Sequence, residues 1–177
     1  MNLINKATVF AEGLDHPECI AYHPDGTIWA GGEAGQIYKI SKDGKQVEEV
    51  ANTGGFVLGI AFNLDCSWLL ICDLGNQCLM KLDLSTDVLS TFSESVAGHK
   101  LKIPNYACFD TQGNIYASES GVFREVNGKI IKYDKNGQGS IWYDEPINFA
   151  NGICLDAHED YLYVVCSFLP GVERIKI

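Results

Sequence analysis

Basic residues are scarce: Lys and Arg together number 13 against 23 Asp and Glu in 177 residues, a formal net charge of −10. No stretch gathers Lys and Arg into a stripe, which argues against docking on nucleic-acid phosphates or on an anionic membrane. Cations and neutral small molecules are the better ligands. Long apolar runs are also missing, so nothing reaches the length of a membrane-spanning helix, and Met1 to Glu12 carries only Lys6 and no signal-like apolar core. A cytoplasmic location is the resulting expectation. The seven cysteines are odd in number and include no Cys-x-x-Cys pair, which favours reduced thiols over a disulfide framework or a thiolate metal site. No Gly-x-Ser-x-Gly is present, and His16, His23, His99 and His158 show no ligand spacing, so a hydrolytic triad has no support. No segment sustains a 3.6-residue apolar stripe, which leaves little room for helix.

What the chain does contain is a repeat. Its copies begin Pro17-Glu18-Cys19-Ile20-Ala21, Val57-Leu58-Gly59-Ile60-Ala61, Pro104-Asn105-Tyr106-Ala107-Cys108 and Ala150-Asn151-Gly152-Ile153-Cys154. The equivalent positions 18, 58, 105 and 151 are 40, 47 and 46 residues apart, a period of propellers and arrays. Each copy runs from this anchor through a short apolar strand, a turn and a second strand. Asp25-Gly26 and Asp110-Thr111-Gln112-Gly113 supply the positive-φ positions that tight hairpins need. Third strands are expected at 36–40, 78–82 and 129–133, fourth strands at 47–50, 88–92 and 140–143. The fold class is therefore all-β, a propeller of four-stranded antiparallel blades. Residues 1–177 form a single partial domain with repeat starts near 17, 57, 104 and 150, about three complete blades and part of a fourth. Residues 174–177 read as a third strand whose fourth is absent, and Ala7–Ala11 as a lone strand ahead of the first blade. Open blade edges would invite self-association. Cys108 and Cys154 take the place of Ala21 and Ala61, which predicts small side chains packed inside a strand.

In a propeller the first strand of every blade lines the central channel, so the anchors point toward one spot. Glu18, Asn105 and Asn151 would bring a carboxylate and two amide oxygens there, hard donors suited to Ca²⁺, Mg²⁺ or Mn²⁺. Leu58 in the second copy shows that the fold itself does not demand a polar group. A second register, Glu33, Asp73 and Glu119, closes the second strands on the same face. These carboxylates either meet a ligand or bond neighbouring backbone N–H groups. His16, two residues before Glu18, is a candidate proton carrier or a turn residue. The loop 121–128 is longer than its counterparts and offers Arg124 as a substrate contact. Gly31-Gly32-Glu33-Ala34-Gly35 lies between two strands and reads as a hairpin, not a phosphate loop.

These stretches, His16-Pro17-Glu18, residues 31–38, residues 54–59, Ile103-Pro104-Asn105, Ser118-Glu119-Ser120-Gly121 and Ala150-Asn151-Gly152, resemble the SMP-30/gluconolactonase/luciferin-regenerating-enzyme family of six-bladed propellers. The resemblance implies one divalent cation, Ca²⁺ first and Mg²⁺, Mn²⁺ or Zn²⁺ as alternatives, held by Glu18, Asn105, Asn151 and an Asp that doubles as general base. By the period that Asp falls beyond Ile177. The implied activity is metal-assisted hydrolysis of a small-molecule lactone or related ester. Gluconolactonase-like members carry Arg and Asp where this chain has Ile103 and Tyr106, which moves the expectation away from an aldonolactone and makes Tyr106 a candidate substrate contact. Strictosidine-synthase-like and paraoxonase-like propellers share the architecture. A non-catalytic binding propeller with a structural ion is the competing reading.

Overall fold

The computed structural model describes residues 7–169 and 171–177. Among these every regular element is a strand, and the sheets follow one another along the chain. The first contains β1 (Cys19–Tyr22), β2 (Ile28–Gly31), β3 (Gln36–Ile40) and β4 (Val47–Asn52). The second contains β5 (Val57–Phe62), β6 (Trp68–Asp73), β7 (Cys78–Asp83) and β8 (Leu89–Ser93). A small hairpin follows, β9 (Ser95–Val96) with β10 (His99–Lys100), which the repeat did not announce. The third sheet holds β11 (Pro104–Phe109), β12 (Ile115–Glu119), β13 (Val126–Tyr133) and β14 (Gly139–Asn148), and the last holds β15 (Ala150–Leu155), β16 (Tyr161–Cys166) and β17 (Gly171–Lys176). Within each sheet consecutive strands pair antiparallel, in a propeller arrangement.

Local chemistry shapes the blades. At the first hairpin Asp25 accepts from the Thr27 N–H and hydroxyl while Gly26 takes φ +92°. In the third sheet Asp110 accepts from the Gln112 and Asn114 N–H groups while Gly113 takes φ +85°. The second and fourth sheets have no glycine at that place, so Cys66 (φ 55°) and Glu159 (φ 58°) adopt the left-handed conformation instead.

The core sits between blades. Cys19, Trp29, Ile37, Val57, Ile60, Leu69 and Ile71 pack between the first and second sheets. Leu70, Cys72, Leu79, Ala107, Ile115 and Ile131 fill the space between the second and third. Tyr116, Ile130, Ile147, Ile153, Leu162 and Val164 fill that between the third and fourth. The first strands β1, β5, β11 and β15 stand side by side in that order. They form the inner edge.

Two expectations need correction. Ala7–Ala11 forms no strand and pairs with none among the described residues; Phe10 instead lies against the β3–β4 turn at Gly44. An extended segment without a ladder partner has no backbone bonds to hold it in a sheet. Cys154 is exposed rather than packed, since no sheet follows β15–β17 to cover that side among the described residues, whereas Cys108 packs against the core between the third and fourth sheets. Ile20 and Tyr22 on β1 and Val172 on β17 are exposed as well, since among the described residues no sheet covers the outer face of the first sheet or of the last. All seven cysteines are free thiols. Burial pushes Cys19 and Cys78 up to about 11 and Cys108 up to about 12, which keeps these thiols protonated and unreactive at neutral pH. Among the described residues no helix is long and apolar enough to cross a membrane.

Leu70 is fully buried on β6 between the second and third blades. Leu70→Ala is expected to lower unfolding stability by about 2–5 kcal/mol, the usual cost of a cavity at such a site, read as a reduced urea midpoint. An unchanged midpoint would contradict the inter-blade core.

Candidate functional site

Glu18, Leu58, Asn105 and Asn151, the four equivalent positions of the repeat, line one cavity of ≈ 420 Å³. Its other walls are Leu74, Ile103, Tyr106, Phe123, Phe149 and Gly152. Four separate sheets therefore converge on a single spot.

The convergence has a backbone cause. In the first strand pair of the second, third and fourth sheets the register slips once, between Val57 and Gly59, between Pro104 and Tyr106, and between Ala150 and Ile153. The slips fall on Leu58, Asn105 and the Asn151-Gly152 pair. A bulge breaks the strict alternation of side chains and re-aims the one it carries. In the first sheet Glu18 immediately precedes β1 and needs no bulge.

The two amides are oriented by serines at the far end of the neighbouring strand. Asn105 donates through Nδ2 to Ser120 Oγ at 3.1 Å, and Ser120 in turn donates to the Ala150 carbonyl at 2.5 Å. Because the serine proton is committed to that carbonyl, its lone pair must receive the NH₂ of Asn105, which fixes which end of the amide is which. Asn151 donates through Nδ2 to Ser167 Oγ at 2.9 Å. Among the described residues neither Oδ1 accepts a hydrogen bond. Each is left as a free oxygen donor. Ser118, fully buried, accepts from the Tyr106 N–H and donates to the Asn151 carbonyl at 2.7 Å, so the bulged starts of β11 and β15 are bound to the same strand, β12.

The acidic second register divides. Glu119 is buried and accepts backbone N–H groups of Lys102, Ile103 and Gly121. Asp73 is buried and accepts from the Phe56 and Asn76 N–H groups. Neither lines the cavity; both hold the loops around it. Glu33 is exposed and bonds His16 Nδ1 at 2.8 Å, while His16 Nε2 stands 3.9 Å from Glu18 Oε1. His16 thus joins Glu33 to the cavity carboxylate. Arg124 lies outside the lining, its guanidinium over the Phe123 ring at 5.4 Å. Tyr106 lines the cavity, half-buried, and burial raises its phenol pKa.

An aromatic cluster at the mouth had no signal in the repeat. Phe123, Phe149 and Phe168 meet edge-on or tilted, with centroids 4.8–5.9 Å apart. Phe149 carries φ 54° and Phe123 is 59% exposed. The three come from separate loops, and only folding brings them together.

The donors the cavity offers are hard oxygens, the type that hard cations take. Among the described residues no group of three or more His, Cys, Asp or Glu is placed to hold a metal, so amide oxygens must complete any coordination around Glu18, and two amides have their oxygens free to do so.

Comparison with known proteins gives a match to a family model described as strictosidine synthase-like, N-terminal, over residues 4–40. The Drosophila melanogaster adipocyte plasma membrane-associated protein hemomucin is 25% identical over 84% of this chain and 30% of its own length. The Arabidopsis thaliana strictosidine synthase-like protein 6 is 26% identical over 87% of this chain and 45% of its own. The chain thus spans less than half the length of either relative. Among solved structures, a gluconolactonase from Xanthomonas campestris superposes with TM-score 0.82 at 16% identity, over 95% of this chain and 60% of that one. A chain of a nidogen/laminin complex superposes with TM-score 0.84 at 18% identity, over 97% and 65%. The likeness to these structures is one of fold: a β-propeller shared with lactonase-like and strictosidine synthase-like proteins.

Two outcomes test the site's framework. Ser120→Ala strands the Asn105 NH₂ in a buried position, at an expected cost of about 1–3 kcal/mol in chemical denaturation; no loss would mean the serine does not orient the amide. For Glu119, burial is the largest influence and raises the pKa, against the backbone N–H bonds that lower it. A folded-state value above the unfolded one makes its contribution complete below the unfolded value of about 4.5 and fading as pH rises through the folded value. The stability advantage of the native protein over Glu119→Gln should therefore shrink as pH rises from about 4.5 toward neutrality; an advantage growing with pH would refute the sign.

Proposed function

We propose that the cavity belongs to a divalent-cation-dependent hydrolase of lactones or related esters, with Glu18, Asn105 and Asn151 as the protein's oxygen ligands. The observation that carries this reading is the convergence of those three residues, from three sheets, with both amide nitrogens tied back to serines. When bound there, a hard cation would polarise a carbonyl oxygen and acidify water, the chemistry ester cleavage requires. Ca²⁺ is the first candidate for a carboxylate-and-amide donor set.

The chain's own residues supply the rest. Leu58, Leu74, Ile103 and Tyr106 form apolar walls that exclude bulk water and hold an apolar acyl portion against the three oxygens. His16, with Nδ1 bonded to Glu33, has Nε2 free on the side of Glu18 and is suited to pass a proton there. Ile103 and Tyr106 leave no cation in the lining to grip a polyhydroxylated acid, so the reading favours a lipophilic lactone or ester over a sugar lactone.

A binding module is the second reading. It draws on the single carboxylate of the cavity and on the nidogen/laminin likeness, which joins the same fold to a protein complex. In that case an ion would be saturated by protein and would hold no exchangeable water.

Titration calorimetry with CaCl₂ separates the alternatives from failure. Binding is expected, with Asn105→Ala and Asn151→Ala each lowering affinity at least about tenfold, as loss of a ligand or its orienting group does. Cleavage of lipophilic lactones and p-nitrophenyl esters should cease with chelator. Ion heat unchanged in both variants, or turnover indifferent to chelation, would sink the hydrolase.

A further inference from the structure

The central cavity does not end at Phe123. Leu74, Ile103 and Phe123 are shared with a second, more open hollow of ≈ 570 Å³, further lined by Gln77, Leu101, Val122, Lys100 and Lys102. A continuous apolar floor therefore leads from the three oxygens outward between the second and third blades. At its side stand two lysines in a chain of only 13 basic residues and net charge −10.

Their backbone is held firmly. The Leu101 N–H donates to the Glu94 carbonyl at 3.0 Å, and the Lys102 and Ile103 N–H groups donate to the buried Glu119 carboxylate at 3.0–3.2 Å. Among the described residues neither lysine is in an ion pair; Glu94, in the hollow adjoining Lys100, makes none with it. Leu101 between the two lysines is anchored in the core and Phe123 packs on Phe149 and Phe168, which leaves the two ammonium groups unpaired beside a fixed apolar surface.

We propose that this groove binds the remote part of an elongated amphiphile: an apolar chain along Leu74, Leu101, Val122 and Phe123, ending in an anionic group at Lys100 and Lys102. The occupant is a small anionic molecule with a linear apolar stretch. Charge complementarity decides its sign, since these lysines are the cationic groups of the lining. The inference rests on the hydrolase reading only for what reacts at the inner end. The groove itself needs no ion.

The test uses octanoate and its neutral counterpart 1-octanol, titrated calorimetrically in chelator so that no metal chemistry intervenes. Octanoate should bind about fivefold more tightly, the order of one surface ion pair. Combined Lys100→Glu and Lys102→Glu should invert that preference without altering the far-ultraviolet circular dichroism. Phe123→Ala should weaken both ligands together. Equal affinity for the two, binding of neither, or a preference that survives charge reversal would overturn the groove. An intact octanoate preference beside absent ion-dependent turnover would support the groove and defeat the hydrolase.

Discussion

Each blade is a thin sheet that buries its faces only against its neighbours, and the remaining features follow from that face-to-face packing. Where the inner edges meet, side chains are too large: a Cβ on Gly31 would run into Val57, and one on Gly59 into the Asn105 carbonyl and the Tyr106 backbone. Glycine lets β5 approach β2 on one side and β11 on the other. The close approach of β1, β5, β11 and β15 is what turns four residues about 40–47 positions apart into the wall of one cavity. Removal of one interface would separate the oxygen donors as well as expose the core.

Packing alone would not aim them. Alternation along a regular strand sends neighbouring side chains to opposite faces, whereas the bulges at Leu58, Asn105 and Asn151-Gly152 break that alternation at the inner edge. A bulge leaves backbone groups without ladder partners, and burying them unpaired is costly. Ser118 and Ser120 solve this by bonding the Tyr106 N–H and the Asn151 and Ala150 carbonyls. The same hydroxyl of Ser120 holds the Asn105 amide. Backbone repair and ligand orientation are one network.

Equivalent repeat positions do different work according to burial. Asp73 and Glu119 are enclosed and accept N–H groups from the loops they clamp. Glu33 stays in solvent and is available to His16. Fold similarity does not choose among functions here, since a gluconolactonase and a nidogen/laminin complex share the architecture. The cavity's chemistry has to decide, through two free amide oxygens, one carboxylate and apolar walls.

The sequence by itself determined the strand grammar, the period and the equivalence of positions 18, 58, 105 and 151. Apolar alternation, turn residues and repeat spacing are local or periodic properties, and the third strand at Gln36–Ile40 is legible to the residue. The hairpin β9–β10 escaped because two-residue strands carry no period. Ala7–Ala11 reads as a strand by composition yet lacks a partner, and pairing is a tertiary fact. The bulges, the serine network and the meeting of Phe123, Phe149 and Phe168 were likewise decided only in three dimensions. Each depends on which distant backbone stands opposite, and no local pattern encodes that.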